Sequence, residues 1–212
     1  MADENKVRLT EGLLRNDVLA GCLERVSSLA LPDWYLGAGC ISQTIWNIAH
    51  GNSPAAHILD YDLVYYDPDQ SQEKERAIEG NVRQILMDLP AEVDVKNQAR
   101  VHRWYPDRFG YNIPPYKSIE EAIATWPTTA TSVGVRLAEG TFEVFAPFGT
   151  EDLLNQVVRA NRVQVTREIF EMKAARWKAT WPGLKVVPWD LGIGPEGDRH
   201  LGPARQVNPS VR

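Results

Sequence analysis

The sequence has only two cysteines, Cys22 and Cys40, among its 212 residues. Two cysteines cannot build a disulfide framework or a zinc site made of thiolates. Apolar runs long enough to cross a bilayer are also missing, and residues 1–6 are too polar for a secretory signal. These absences predict a cytoplasmic protein that does not associate with a membrane.

An excess of positive charge is absent as well. Lysine and arginine number 23 against 28 aspartates and glutamates, which gives a formal net charge of −5. This balance argues against sequence-independent binding along a nucleic-acid backbone, although it leaves room for a local basic groove. The hydrophobic share of 43% is ordinary for a soluble globular protein, and the length predicts a single domain.

Helical and strand patterns alternate along the chain, but not as strict parallel crossovers. This order predicts an α+β fold in which helices flank a mixed β-sheet. The predicted strands span about 34–36, 57–67, 91–96, 133–137 and 142–146, the last two as a hairpin. The predicted helices span about 7–29, 41–51, 72–89, 118–126, 151–158 and 166–181.

The predicted domain covers residues 1–182. It divides into an N-terminal helical segment (1–30), a core (31–146) and C-terminal helices (147–182). Residues 183–212 are rich in glycine, proline and polar residues, which predicts a loose tail.

The most informative strand contains Asp60 and Asp62 within an apolar and aromatic run. Side chains alternate along a strand, so these two carboxylates point to the same face. Two carboxylates on one face of an apolar strand repel each other and lose hydration unless a cation lies between them. The pair therefore predicts a site for a hard divalent cation.

Two further features complete a candidate site. The small residues Gly37-Ala38-Gly39-Cys40 stand between a strand and a helix, where backbone N–H groups can hold a phosphate. Asp94 on the next predicted strand offers a third carboxylate, and Glu92 on the same face is a rival for that role. Three carboxylates beside a phosphate site suit two metal ions and a nucleoside triphosphate.

A basic and aromatic stretch follows the third strand. Lys96 and Arg100 are candidates for contact with a triphosphate or an acceptor, and a solvated basic face is the alternative. Trp104 and Trp126 are candidates for stacking against a base.

These motifs together resemble the polymerase-β-like nucleotidyltransferase superfamily, and more specifically a poorly characterised bacterial nucleotidyltransferase family within it. The likeness covers most of residues 31–182. The strings that carry it are WYLGAGCI (34–41), DYDLVY (60–65), NQARVH (97–102) and WPTTAT (126–131). The chain departs from the family pattern at Cys40, where the pattern has serine or threonine, and in the long gap between Gly39 and Asp60.

The resemblance implies transfer of a nucleoside monophosphate from a nucleoside triphosphate to an acceptor hydroxyl, with release of pyrophosphate. It implies that Asp60, Asp62 and Asp94 bind Mg²⁺ or Mn²⁺ and carry the catalysis. It also implies that residues 37–40 hold the phosphates, while Lys96 or Arg100 offsets charge on the leaving group. The sequence does not decide whether the acceptor is a small molecule, a protein side chain or an RNA end.

Two other functions fit the same residues. One is a binding module of this fold, for example of the toxin–antitoxin type, that no longer transfers nucleotides. The other is a different metal-dependent reaction at the same acids, such as phosphoester hydrolysis or the tailoring of a small molecule.

Overall fold

A mixed five-stranded sheet organises the chain. The computed structural model describes residues 2–29, 31–138 and 140–194. The sheet has the strand order β3-β2-β1-β4-β5, in which β2 and β3 are parallel and the other neighbours are antiparallel. Its strands are β1 (Trp34–Gly37), β2 (Tyr61–Tyr65), β3 (Val93–Asn97), β4 (Gly134–Ala138) and β5 (Thr141–Phe145). The α+β fold with a mixed sheet is therefore confirmed, as is the hairpin of β4 and β5.

Eight helices accompany these strands within the described residues. They are α1 (Ala2–Leu14), α2 (Asp17–Ser27), α3 (Gly39–Ala49), α4 (Gln72–Ile85), α5 (Val101–Phe109), α6 (Ile119–Ile123), α7 (Glu151–Leu154) and α8 (Arg167–Thr180). The N-terminal pattern forms two helices because the Asn16 side chain accepts a hydrogen bond from the Leu19 backbone N–H and caps α2. None of the helices in the described ranges is both long and apolar enough to span a bilayer.

The two faces of the sheet have different roles. Leu36, Leu63 and Val95 point to one face, where they are buried in the main hydrophobic core with residues of α1 to α4 and α8. Because side chains alternate along a strand, Gly37, Asp62 and Asp94 belong to the opposite face. That second face is only partly covered, which leaves space for a cleft.

Two smaller apolar clusters frame the uncovered face. One joins α5 to the loop before α6, with Val101, Tyr105 and Tyr116 buried. The other packs α6 against the sheet through contacts of Ile119 and Ile123 with Tyr35 and Val64. Together they fix α5 and α6 at one end of the face.

The C-terminal part differs from the sequence prediction in two places. The helix predicted over 151–158 ends at Leu154, because Gln156 adopts a positive φ of 59° that breaks the helix. Val157–Val158 then forms β6, which pairs in parallel with β7 (Lys185–Val186). Residues 183–194 are thus not a loose tail, since they include β7, the fully buried Leu184 and a 3-10 turn at Trp189–Leu191. Residues 195–212 of the predicted tail lie outside the described residues.

Candidate active site

The register of three neighbouring strands brings the predicted site residues together. Asp62 on β2 lies directly opposite Asp94 on the parallel strand β3 and opposite Gly37 on the antiparallel strand β1. Glu92, the rival for the third acid, precedes β3 and is exposed, and its backbone carbonyl accepts a hydrogen bond from the Tyr61 N–H. The pairing therefore favours Asp94 over Glu92 as the partner of Asp62.

Asp60 lies just before β2 and lines the same cleft as Asp62 and Asp94. Burial raises the pKa of Asp62 to about 7, and repulsion from the Asp60 and Asp94 carboxylates adds to the shift. Lys173 and Lys96 act in the opposite direction. Asp62 is thus a half-buried carboxylate in a surplus of negative charge, the condition that a divalent cation would relieve.

The two basic residues predicted from the sequence occupy different environments. Lys96 lines the cleft and forms an ion pair with Asp94, two residues earlier on the same face of β3. Arg100 follows β3 in a 3-10 turn and pairs with Glu75 of α4 at 3.1 Å, with only 11% of its side chain exposed. The structure therefore brings Lys96 to the acids but engages Arg100 with α4.

The turn before α3 has an unusual backbone. Ala38 adopts φ 56° and ψ −125°, a conformation that L-residues rarely take, and its N–H donates to the Val133 carbonyl at 3.0 Å. This bend directs the N-terminus of α3, which begins at Gly39, toward the cleft that Ala38 and Gly39 line. Backbone N–H groups at such a terminus can bind an anion.

Cys40 takes no side-chain part in that anion site. Its thiol is fully buried and donates to the Gly37 carbonyl at 3.0 Å. Burial raises the pKa of the thiol well above its usual value, and the nearby Asp62 carboxylate raises it further. The thiol therefore stays protonated and holds the turn to the strand, so that only the backbone of Cys40 is available to a phosphate.

Gly37 is required by close packing rather than by its backbone angles. A Cβ atom at this position would lie 2.6 Å from the Trp126 ring and 2.8 Å from the Val133 carbonyl oxygen. Trp126 consequently lies flush against β1, next to the strand that carries Asp62. Because Gly37 has no side chain, the Trp126 ring can lie close to the acids.

The acids open into a cleft of about 520 Å³. One wall is the sheet with Asp60, Asp62, Asp94 and Lys96, and the facing walls are α5, α8 and the segment around Trp126. Trp104 and Trp126, the aromatic residues singled out in the sequence, both line it. Its size is within the range of small-molecule sites.

The three carboxylates are suitable ligands for a divalent cation, although they do not converge on one point. Carboxylate oxygens are the ligands that Mg²⁺ and Mn²⁺ prefer. In the described part of the chain, no three histidine, cysteine or acidic side chains converge closely enough to hold an ion as they stand. One of the three carboxylates, that of Asp94, forms an ion pair with Lys96.

The comparison with known families decides the class of protein. A model of a family described as nucleotidyltransferase matches residues 24–186, which is most of the chain. The chain belongs to this nucleotidyltransferase family. It is accordingly an enzyme of the nucleotidyltransferase class, and the likeness to that superfamily seen in the sequence is confirmed.

A solved structure supports the assignment. The nucleotidyltransferase is similar to a protein whose NMR structure is described as revealing a CCA-adding enzyme head domain. The two are 29% identical, the match covers 84% of this chain and 94% of the other, and the TM-score is 0.69. No curated protein matches the chain.

Sequence reasoning missed the contribution of α8 to the nucleotidyltransferase cleft. Lys173 and Arg176 of this helix line the cleft, and the pKa of Lys173 is lowered by burial and by the neighbouring Arg176. The only local signal was helical spacing, since Ile169, Lys173 and Trp177 recur at every fourth position. That spacing shows that these residues share a face but not what the face contacts.

Proposed function

We propose that this nucleotidyltransferase moves a nucleoside monophosphate from a nucleoside triphosphate to an acceptor hydroxyl and releases pyrophosphate, in a reaction that depends on Mg²⁺ or Mn²⁺. One observation carries the proposal. Asp62 and Asp94 lie opposite each other on parallel strands, next to Gly37 and the turn that leads from it into α3. Carboxylates and a phosphate site side by side are what phosphoryl-group transfer requires.

Asp60, Asp62 and Asp94 would hold the metal ions. When bound, such ions neutralise charge on the reacting phosphate and make the acceptor hydroxyl easier to deprotonate. The raised pKa of Asp62 supports this role, because a carboxylate that costs free energy to ionise gains most from a neighbouring cation. Asp94, opposite Asp62 on the neighbouring strand, is positioned to accept the proton of the acceptor hydroxyl.

The turn at residues 37–40 would hold the β- and γ-phosphates. Its backbone N–H groups at the start of α3 supply the contacts, because the Cys40 thiol is engaged with the Gly37 carbonyl. Replacement of the family's hydroxyl residue by Cys40 is therefore compatible with phosphate binding. Lys96 could exchange its ion pair with Asp94 for a contact with the leaving pyrophosphate once metal ions occupy the acids.

The acceptor is an RNA end, a protein side chain or a small molecule. The solved structure described as a CCA-adding enzyme head domain supports an RNA end, since that enzyme's name refers to nucleotide addition. The aromatic rings of Trp104 and Trp126 in the cleft suit stacking on a base.

The test is a transfer assay with a triphosphate labelled at the α-phosphate, Mg²⁺ or Mn²⁺, and a panel of RNA, protein and small hydroxyl acceptors. We expect label on an acceptor and one pyrophosphate released per transfer. Asp62→Asn and Asp94→Asn should each lower the rate about a hundredfold or more, because each removes a charge that acts on the reacting phosphate.

Glu92→Gln is the matched control, because it removes an exposed carboxylate two residues from Asp94. Its rate should stay close to that of the parent enzyme. Release of orthophosphate instead of pyrophosphate would point to hydrolysis at the same acids and would contradict transfer.

A further inference from the structure

A second charged group lines the cleft that contains the acids. Lys173 and Arg176 of α8 and Arg108 of α5 all line it. On α8 the cleft-lining residues are Ile169, Lys173, Arg176, Trp177 and Thr180, a spacing that forms one continuous helical face. This face presents two cations to the cleft, and the charge of Lys173 acts on the Asp62 and Asp60 carboxylates.

Aromatic packing fixes the direction of that face. Trp177 on α8 and Trp181 just beyond it each pack edge-on against Trp46 of α3, with ring centroids 5.6 Å apart in both pairs. All three rings are buried. Since α8 is anchored to the core through Trp177, the adjacent Lys173 and Arg176 are held on the cleft side.

Two of the cleft-lining cations also lie near aromatic rings. The Lys173 ammonium lies 5.9 Å from the centre of the Trp177 ring, and the Arg108 guanidinium lies 5.5 Å from that of Phe109 and 5.9 Å from that of Trp104. Cation–π contacts of this kind hold a charge in place without neutralising it. The Lys173 charge is therefore held in the cleft, where it can meet a negatively charged ligand.

In the described part of the chain, neither Lys173 nor Arg176 forms an ion pair with an acidic residue of α8. Among the described ion pairs, the one within α8 joins Arg167 to Glu171, one turn before the cleft-lining pair. Lys173 also feels Arg176 and Arg108, which lower its pKa beyond the effect of burial, while Asp62 and Asp60 oppose them.

We propose that Lys173 and Arg176 form a phosphate-binding site, distinct from the turn at residues 37–40, that holds a phosphate group of a substrate. The proposal rests on the proposed function only in taking the cleft as the substrate site. The phosphate belongs either to the nucleoside triphosphate or to the acceptor, and both side chains suit either source because each donates charge-assisted hydrogen bonds.

The test measures binding without transfer. Calorimetric titrations in EDTA would use inorganic tripolyphosphate, ATP and an RNA trinucleotide against the parent chain, Lys173→Gln and Arg176→Gln. Without metal ions, any affinity for these probes comes from groups of the protein itself, and the substitutions measure the share that Lys173 and Arg176 contribute. Each substitution should weaken binding of at least one probe about tenfold or more, the range expected for losing a hydrogen bond to a charged group.

Arg167→Gln is the control, because it removes the same charge from the same helix at a residue paired with Glu171. Its affinities should equal those of the parent. Weakened binding of ATP and tripolyphosphate alone assigns the site to the triphosphate, whereas weakened binding of the trinucleotide alone assigns it to an RNA acceptor.

Three results would overturn the proposal: parent-like affinities in both α8 variants, an equal loss in Arg167→Gln, or no binding of any probe by the parent. Thermal unfolding of each variant checks that the chain still folds. Asp62→Asn separates this site from the proposed function, because it should abolish transfer while leaving anion binding in EDTA intact or stronger.

Discussion

At the scale of single residues, Asp62 is a carboxylate held in an unfavourable place. It is half-buried on a strand, with Asp60 two residues before it and Asp94 opposite it. Isolated carboxylates in such surroundings reduce the stability of a fold, so their presence indicates a task other than stability. Lys96 and Lys173 offset the negative charge only in part, since the pKa of Asp62 stays raised.

The raised pKa of Asp62 makes a prediction about stability. A carboxyl with a higher pKa in the folded than in the unfolded chain binds its proton more tightly when folded. Its contribution therefore favours folding at acidic pH and is lost as the pH rises from about 4 toward about 7. In EDTA at pH 8, Asp62→Asn should raise the free energy of unfolding by about 1 to 3 kcal/mol, discounted for partial exposure.

Denaturant unfolding at pH 8 and at pH 4.5 checks this expectation. The gain should shrink at the lower pH, where the folded chain already carries a protonated Asp62. The exposed Glu92 provides the control, since Glu92→Gln should change stability little at either pH. A loss of stability of equal size at both pH values would show that Asp62 is needed for packing instead.

At the scale of elements, α3 connects both sides of the cleft. Its N-terminus follows the bend at Ala38, and the Asn47 side chain near its C-terminus forms hydrogen bonds with two other segments. The Asn47 amide donates to the carbonyls of Pro54 (3.1 Å) and Ala56, and its oxygen accepts from the Trp181 indole N–H at 2.8 Å. The long gap between Gly39 and Asp60 consists of α3 and the loop after it, and the Asn47 side chain ties that loop to the helix.

Asn47→Ala should therefore lower the free energy of unfolding by about 2 to 4 kcal/mol, because it leaves the buried Trp181 N–H without a partner. Thermal or denaturant unfolding measures the loss. Combining it with Trp181→Phe, which removes the indole donor, should give a total smaller than the sum of the two single effects. Asn52→Ala, in the same loop and partly exposed, should be close to neutral. Strict additivity of Asn47→Ala and Trp181→Phe would contradict the link.

The sequence predicted the individual strands and helices better than it predicted which of them pair or pack together. Alternation along the strands correctly separated Asp94 from Val93 and Val95, since that pattern is local. The register of β3 against β2 joins residues about 30 positions apart, and no local pattern specifies it. The orientation of α8 likewise depends on Trp46, far away in the chain, which is why Lys173 was missed.

At the scale of the whole molecule, the described C-terminal residues complete the fold. β7 pairs with β6, and Leu184 just before it is fully buried in the main core. A high content of glycine and proline concealed this from the sequence, because a two-residue strand has too few positions to show an alternating pattern. The domain therefore extends beyond residue 182.

Leu184→Ala should reduce the free energy of unfolding by about 2 to 5 kcal/mol, the usual cost of emptying a buried leucine site. Val186→Ala is the comparison, because Val186 belongs to the same short strand but is 40% exposed. It should cost less than about 1 kcal/mol. Denaturant unfolding of both variants measures the difference, and equal small effects would mean that this segment contributes little to the fold.

The distribution of indole rings gives the protein an optical property. Four of its seven tryptophans, Trp104, Trp126, Trp177 and Trp181, line the one cleft that contains the acids. Their emission depends on the polarity and contacts of that space, so a molecule entering it changes the ultraviolet fluorescence of the whole chain. The enzyme thus carries an intrinsic reporter with which unlabelled candidate substrates can be screened.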